Sequence, residues 1–199
     1  MRDYLKVMTR KGLVIMGPPG AGKGALSTNI VNAYDAFHFS SGDAFREEFK
    51  TNPERFDKYK DTMTDGKYFP DHVAITLLQE NLEKASYDSL VLLDGVPRTY
   101  EQAGMLEGII DVEGAVLLTA SNDVLLNRMY LRNRGRYDQD FKKSMDRIQD
   151  FNDHKYDILD GLSKLGVSSQ IIDTNSLTIN KVFSKVQNTH SGLLSTYER

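Results

Sequence analysis

Eight residues, Gly17-Pro18-Pro19-Gly20-Ala21-Gly22-Lys23-Gly24, stand between an apolar run, Leu13–Met16, and a stretch carrying Leu26, Ile30 and Val31 at helical spacing. A glycine-rich turn from a strand into a helix points successive backbone N–H groups inward and adds the positive end of the helix dipole. Its glycines let the main chain come close to a bound anion, so a loop of this kind is suited to phosphate. Lys23 adds a mobile positive charge for the β- and γ-phosphates of a nucleotide. The bland alternative is an ordinary Gly/Pro-rich turn, but chance rarely supplies all of these residues with these flanks.

A second group lies further along. Leu90-Val91-Leu92-Leu93 reads as a buried strand ending in Asp94, where a carboxylate can hold, through water, the magnesium bound to a nucleotide. Gly95-Val96-Pro97-Arg98-Thr99 follows at once and aims an arginine into the crevice where such sheets bind ligands. A basic cluster between Arg128 and Arg147 offers further phosphate partners, since the planar guanidinium forms bidentate bonds to phosphate. The chain has no cysteine, and its four histidines, His38, His72, His154 and His190, have no metal-ligand spacing. Thiol chemistry is excluded by composition, and zinc is not expected.

These groups need elements to position them. Apolar runs at Leu13–Met16, Ala36–Phe39, Leu90–Leu93, Ala115–Leu118 and Gln170–Ile172 alternate with stretches of helical spacing. Short, continuously apolar strands are what a parallel sheet covered on both faces requires, so the pattern predicts an α/β fold with about five strands. Helices are expected after the first strand, over Val73, Leu77, Leu78 and Leu82, and over Phe141, Met145, Ile148, Leu159 and Leu162, whose apolar residues would face the core. The segments Ser41 to about Pro70 and Asn133 to Gln139 read as inserts on that core, and the tail after about Asn188 as frayed.

The chain has 199 residues, 40% hydrophobic and 27% charged, enough to bury a core without disulfides or a structural metal. A net charge of -3 gives no field to hold a polyanion, so no nucleic acid partner is expected. The longest apolar runs fall far short of the roughly 20 residues that span a bilayer. The charged opening MRDYLKVMTRK lacks the apolar stretch of a signal peptide and reads as a surface lead-in to the first strand. Cytoplasmic residence and a monomer are the expectations.

Several separated motifs together resemble the adenylate kinase family over nearly the whole chain. The loop GPPGAGKG is similar to the family's phosphate loop, with glycine after the lysine. Ser40-Ser41-Gly42-Asp43 with Arg46 resembles the segment opening its monophosphate-binding insert, and Gly66-Lys67 with Pro70-Asp71 the segment closing it. Asp94-Gly95-Val96-Pro97-Arg98-Thr99 with Gln102 is similar to its second signature, and Arg128, Arg132, Arg136, Asp138 and Arg147 to its lid residues. The resemblance implies a P-loop three-layer sandwich. Its core would be residues 1–40, 71–131 and 140–199, its monophosphate-binding insert 41–70 and its very short lid 132–139. It implies transfer of the γ-phosphoryl group from ATP, with Mg2+, to AMP. Gly20, Ala21, Gly22, Lys23, Gly24 and Ala25 would cradle the ATP phosphates and Arg128 would lie over the ATP adenine. Lys23, Arg98, Arg132, Arg136 and Arg147 would be the catalytic charges, and Asp94 the magnesium residue. Ser41, Arg46, the backbone near Phe69, Gly95, Arg98 and Gln102 would hold AMP.

Four departures from the family's pattern stand out. Ala25 replaces the usual threonine, Val96 the usual aromatic, Gln139 the second acid of an Asp-Asp pair, and only Asn133, Arg134 and Gly135 separate Arg132 from Arg136. Two other readings stay open. A pyrimidine monophosphate kinase would tend to carry alanine at position 41 and asparagine after Pro-Arg, and a weakly catalytic nucleotide-binding regulatory protein would account for Ala25 and Gln139.

Overall fold

The computed structural model describes residues 9–65, 67–131 and 141–199. Five strands, β1 (Arg10–Met16), β2 (Ala36–Ser40), β3 (Leu90–Asp94), β4 (Ile110–Thr119) and β5 (Ser169–Asp173), form one parallel sheet in the order β2-β3-β1-β4-β5. Each expected strand is present. β1 starts three residues earlier than its apolar run, at Arg10, and β4 five residues earlier, at Ile110. In those extensions Lys11 pairs with Asp111 and Glu113, so neighbouring strands supply partners that hydropathy does not register.

Among the described residues the α-helices are α1 (Lys23–Ala33), α2 (Ser41–Thr51), α3 (Pro53–Phe56), α4 (Lys60–Asp65), α5 (Asp71–Leu82), α6 (Tyr100–Met105), α7 (Asn122–Leu131), α8 (Phe141–Lys164), α9 (Ile179–Thr189) and α10 (Ser191–Leu194), with short 3-10 turns at Asp57–Tyr59 and Ser195–Tyr197. Alternation along the strands divides the core in two. Val14, Met16, Val91, Leu93, Ala115 and Leu117 face a layer holding Phe45, Leu77, Leu78, Ala103 and Leu162. Leu13, Ile15, Leu90, Leu92, Val116 and Leu118 face the opposite layer, with Leu26, Ile30, Leu125, Val182 and Val186. Both faces of the sheet are covered, which is why its strands are apolar throughout. None of the helices, among the described residues, is long and apolar enough to cross a membrane.

Two expectations are corrected. The C-terminal segment is not frayed: Leu194 is buried, Asp35 N–H donates to the Tyr197 carbonyl at 2.7 Å, and Tyr34 forms a bridge with Glu198. Its polar sequence conceals this because the anchors lie at the far end of α1. In α8, Phe141 is exposed rather than core, and the buried stripe runs through Ser144, Ile148, Phe151, Ile158 and Leu162. Phe141 is the first residue of that helix, one turn beyond its last contact with the core.

Candidate active site

The loop after β1 and the start of α1 form the first half of the site. Gly20 has φ 85°, and a Cβ there would sit 2.6 Å from the Leu125 carbonyl oxygen, so the backbone of α7 excludes any side chain. Gly22, at φ 103°, caps α1 with no side chain at all, which leaves the first N–H groups of the helix without a side-chain partner. Lys23 donates to the Gly17 carbonyl at 2.8 Å and lies across the loop. Gly20, Ala21, Gly22 and the exposed Ala25 border an open cavity of about 310 Å³ that continues along Leu118, Arg128, Thr174, Leu177, Ile179 and Val182. Arg128 is fixed on its rim by bonds to the Thr174 hydroxyl, 2.9 Å, and carbonyl, 2.7 Å.

Asp94 closes β3 between the two halves. Its register partners are Ile15, just before the loop, and Ser40, just before α2. Burial alone would raise its pKa, but Lys23, His38 and Arg98 around it hold the carboxyl below its usual range. His38 Nε2 stands 3.7 Å from Oδ2, so this pair is an electrostatic contact rather than a full hydrogen bond. A carboxylate that stays charged, with cationic neighbours and a phosphate loop beside it, suits a hard cation brought in by a nucleotide. Magnesium is held in this manner, by one or two carboxylates together with substrate phosphates and water.

The second half follows β2 and β3. The Ser41 hydroxyl donates to the Gly95 carbonyl at 2.9 Å, and Arg98 Nε donates to the same oxygen at 2.9 Å. Gly95 has φ 82°, and the Ser41 hydroxyl fills the space its Cβ would need. Gln102, 1% exposed, accepts from the Arg98 backbone N–H at 2.8 Å and donates to Asp71 Oδ1 at 2.8 Å. Thr99 caps α6 and donates to the same Asp71 oxygen at 3.0 Å. The two Gln102 bonds use one lone pair and one N–H of its buried amide and leave one of each. Within the segment 41–70, Phe45 stacks on Phe69 with ring centroids 3.5 Å apart, and Arg46 is exposed on α2, paired with Asp43.

The family model described as adenylate kinase matches residues 15–199. The chain belongs to the adenylate kinase family. Among its relatives, an adenylate kinase of Encephalitozoon cuniculi is 34% identical over 77% of this chain and 84% of its own. One of Corynebacterium urealyticum is 33% identical over 74% and 83%, and one of Listeria monocytogenes 39% identical over 59% and 57%.

Against that family, the structure gathers Gly20, Ala21, Gly22, Lys23, Gly24, Ala25 and Arg128 on one side of Asp94, and Ser41, Gly95, Arg98 and Gln102 on the other. Arg46 belongs to the second group by chain position, one turn into α2, but its partner is Asp43. Arg147 lies on α8, close enough to act on the Tyr68 hydroxyl. Arg132, Arg136 and the rest of the expected lid 132–139, with Asp138 and Gln139, lie outside the described residues. Two contributors, His38 and Tyr68, carry no motif that assigns them a role in the site, and Asp71, which belongs to the closing Pro70-Asp71 segment, is assigned no part in holding the acceptor by its motif. For His38 the only hint is its position near the end of the apolar run Ala36–Phe39.

Proposed function

We propose that this chain transfers the γ-phosphoryl group of MgATP reversibly to AMP, giving two ADP. One observation carries the reading: Asp94 stands in the sheet between a phosphate loop after β1 and an arginine-serine-glutamine group after β2 and β3. Two anionic substrates can therefore meet over one carboxylate at the C-terminal edge of the sheet, where open α/β sheets bind ligands.

The acceptor phosphate is already an anion, so no side chain needs to take a proton from it. The chain must instead align two charged nucleotides and neutralise the group in flight. Arg46 and Arg98 clamp the AMP phosphate, with Arg46 released from Asp43. Lys23, Arg132, Arg136 and Arg147 surround the ATP phosphates, cradled by the loop 17–24, and Arg128 covers the ATP adenine at the rim of the cavity. The free N–H and lone pair of Gln102 match the donor-acceptor edge of adenine, the bidentate pairing that amides make with that base. Magnesium bound with the nucleotide neutralises phosphate charge, and Asp94 would hold it through water. The insert 41–70 and the lid 132–139 exclude water so that transfer outruns hydrolysis.

Turnover with MgATP and each of AMP, CMP, UMP and GMP tests this reading, with AMP expected to react fastest. Faster turnover with CMP or UMP would overturn the acceptor assignment. Nucleotide binding without transfer to any acceptor would overturn the enzyme assignment.

A further inference from the structure

Arg98 is gripped on three sides, and one of the three belongs to no element of the phosphate site. Of its five N–H donors, Nε–H goes to Gly95 and one Nη2–H reaches Ser41 Oγ at 3.4 Å. The guanidinium face is covered by the ring of Tyr68, whose centroid lies 5.1 Å from Cζ. Tyr68 lies near the end of the segment 41–70 and precedes Phe69, whose own ring turns the other way, onto Phe45. The edge of the Tyr68 ring meets His154 of α8 at 5.8 Å and 66°, and Asp150 and Arg147 of the same helix both act on its hydroxyl. Burial pushes its phenol well above the usual range, so the ring faces Arg98 as the neutral species.

We infer that Tyr68 is a positioning residue for the acceptor site: its ring holds the Arg98 guanidinium by one face and leaves the remaining N–H groups for the monophosphate, while its edge fastens that grip to α8. The inference rests on the reading of Arg98 as a phosphate clamp. A long arginine tethered only by Gly95 and Ser41 would sample other rotamers, and the acceptor would have to gather it on binding. With the ring in place the guanidinium is oriented beforehand. Cation–π contacts strengthen as they lose solvent, and this one is partly buried.

Substituting Tyr68→Leu and Tyr68→Met, which remove the ring, should raise KM for AMP about five- to tenfold and leave KM for MgATP within twofold. Tyr68→Phe, which keeps the ring, should restore KM for AMP. Calorimetric titration of AMP into each variant should give the same ranking without any turnover, and melting curves identify a variant that has lost its fold. The same rise in both KM values for the two ring-less variants would reduce Tyr68 to a structural residue. A lower KM for AMP would show that the ring obstructs the site, and either result overturns the inference. A wild type that transfers nothing to AMP would sink the reading of Arg98 instead, whereas an active wild type with unmoved ring-less variants sinks only the role of Tyr68.

Discussion

Arg98 illustrates how a single side chain can be prepared to receive an anion. Its side chain makes two bonds to its surroundings and lies under Tyr68, so Arg98→Ala deletes modest packing but, on the proposed reading, an entire phosphate partner. Loss of an electrostatic stabiliser of a transition state is worth about 3–4 kcal/mol, so kcat/KM should fall roughly 10²- to 10³-fold. Stability should change by only about 1 kcal/mol. An equally active variant would remove Arg98 from the site. At Ala25, on the wall of the cavity beside the loop, Ala25→Thr adds a hydroxyl within the phosphate site. One added hydrogen bond is worth roughly 0.5–1.5 kcal/mol, or about two- to tenfold in MgATP affinity, and loss of activity with the fold intact would show a pocket shaped around alanine. Asp94 makes a different prediction. Its carboxyl is held below the unfolded value of about 3.9, so its charge stabilises the fold above that pH and the contribution is lost as pH falls through the lower folded value. Urea unfolding should find wild type more stable than Asp94→Asn by a constant margin from pH 7 to about pH 5, and the margin should close in stronger acid. A margin that closes already near pH 6 would show that the carboxyl is not held low.

At the level of elements, the strands and the phosphate loop were legible because each depends on a local pattern: continuous apolar runs for β1 and β3, and glycines with a lysine for the turn between β1 and α1. What was not legible depends on partners distant in the chain. Thr189, His190 and the residues after them look like a dissolving end, yet Leu194 is buried and the Asp35 N–H donates to the Tyr197 carbonyl. His38 reads as a lone histidine in a strand, and only the pairing of β2 with β3 places it beside Asp94. The Gln102–Asp71 bond joins the starts of α5 and α6, which no spacing rule connects. The tail supplies a direct test. Removing residues 190–199 would expose the ground under Leu194 and break the Asp35–Tyr197 bond and the Tyr34–Glu198 bridge. Burial of one leucine and about two hydrogen bonds give a loss of roughly 2–5 kcal/mol, lowering Tm by roughly 5–15 °C. An unchanged Tm would mean that the tail only rests on the core.

Across the described residues, the two halves of the site come from opposite sides of β1 and β3 and meet at Asp94. The loop and cavity belong to the side that packs Leu26, Leu125 and Val182, whereas Phe45, Phe69 and Ala103 belong to the layer across the sheet. On the proposed reading each substrate has its own ground, and each is expected to bind without the other. This makes stability a reporter of both. A ligand that binds only the folded chain stabilises it by about 2.7 kcal/mol at a hundredfold excess over Kd, and for a protein of this size each kcal/mol moves Tm by roughly 2–4 °C. MgATP alone and AMP alone should each raise Tm by roughly 5–10 °C under those conditions. Separate sites predict that non-reacting analogues of the two nucleotides, added together, raise Tm by the sum of their separate shifts or more, the excess measuring closure of the insert over both. Arg98→Ala should then erase the AMP shift and keep the MgATP shift, because the phosphate loop and Lys23 are untouched. If the two analogues together gave no more than either alone, the nucleotides would be competing for one pocket, and the division of the site by Asp94 would be wrong.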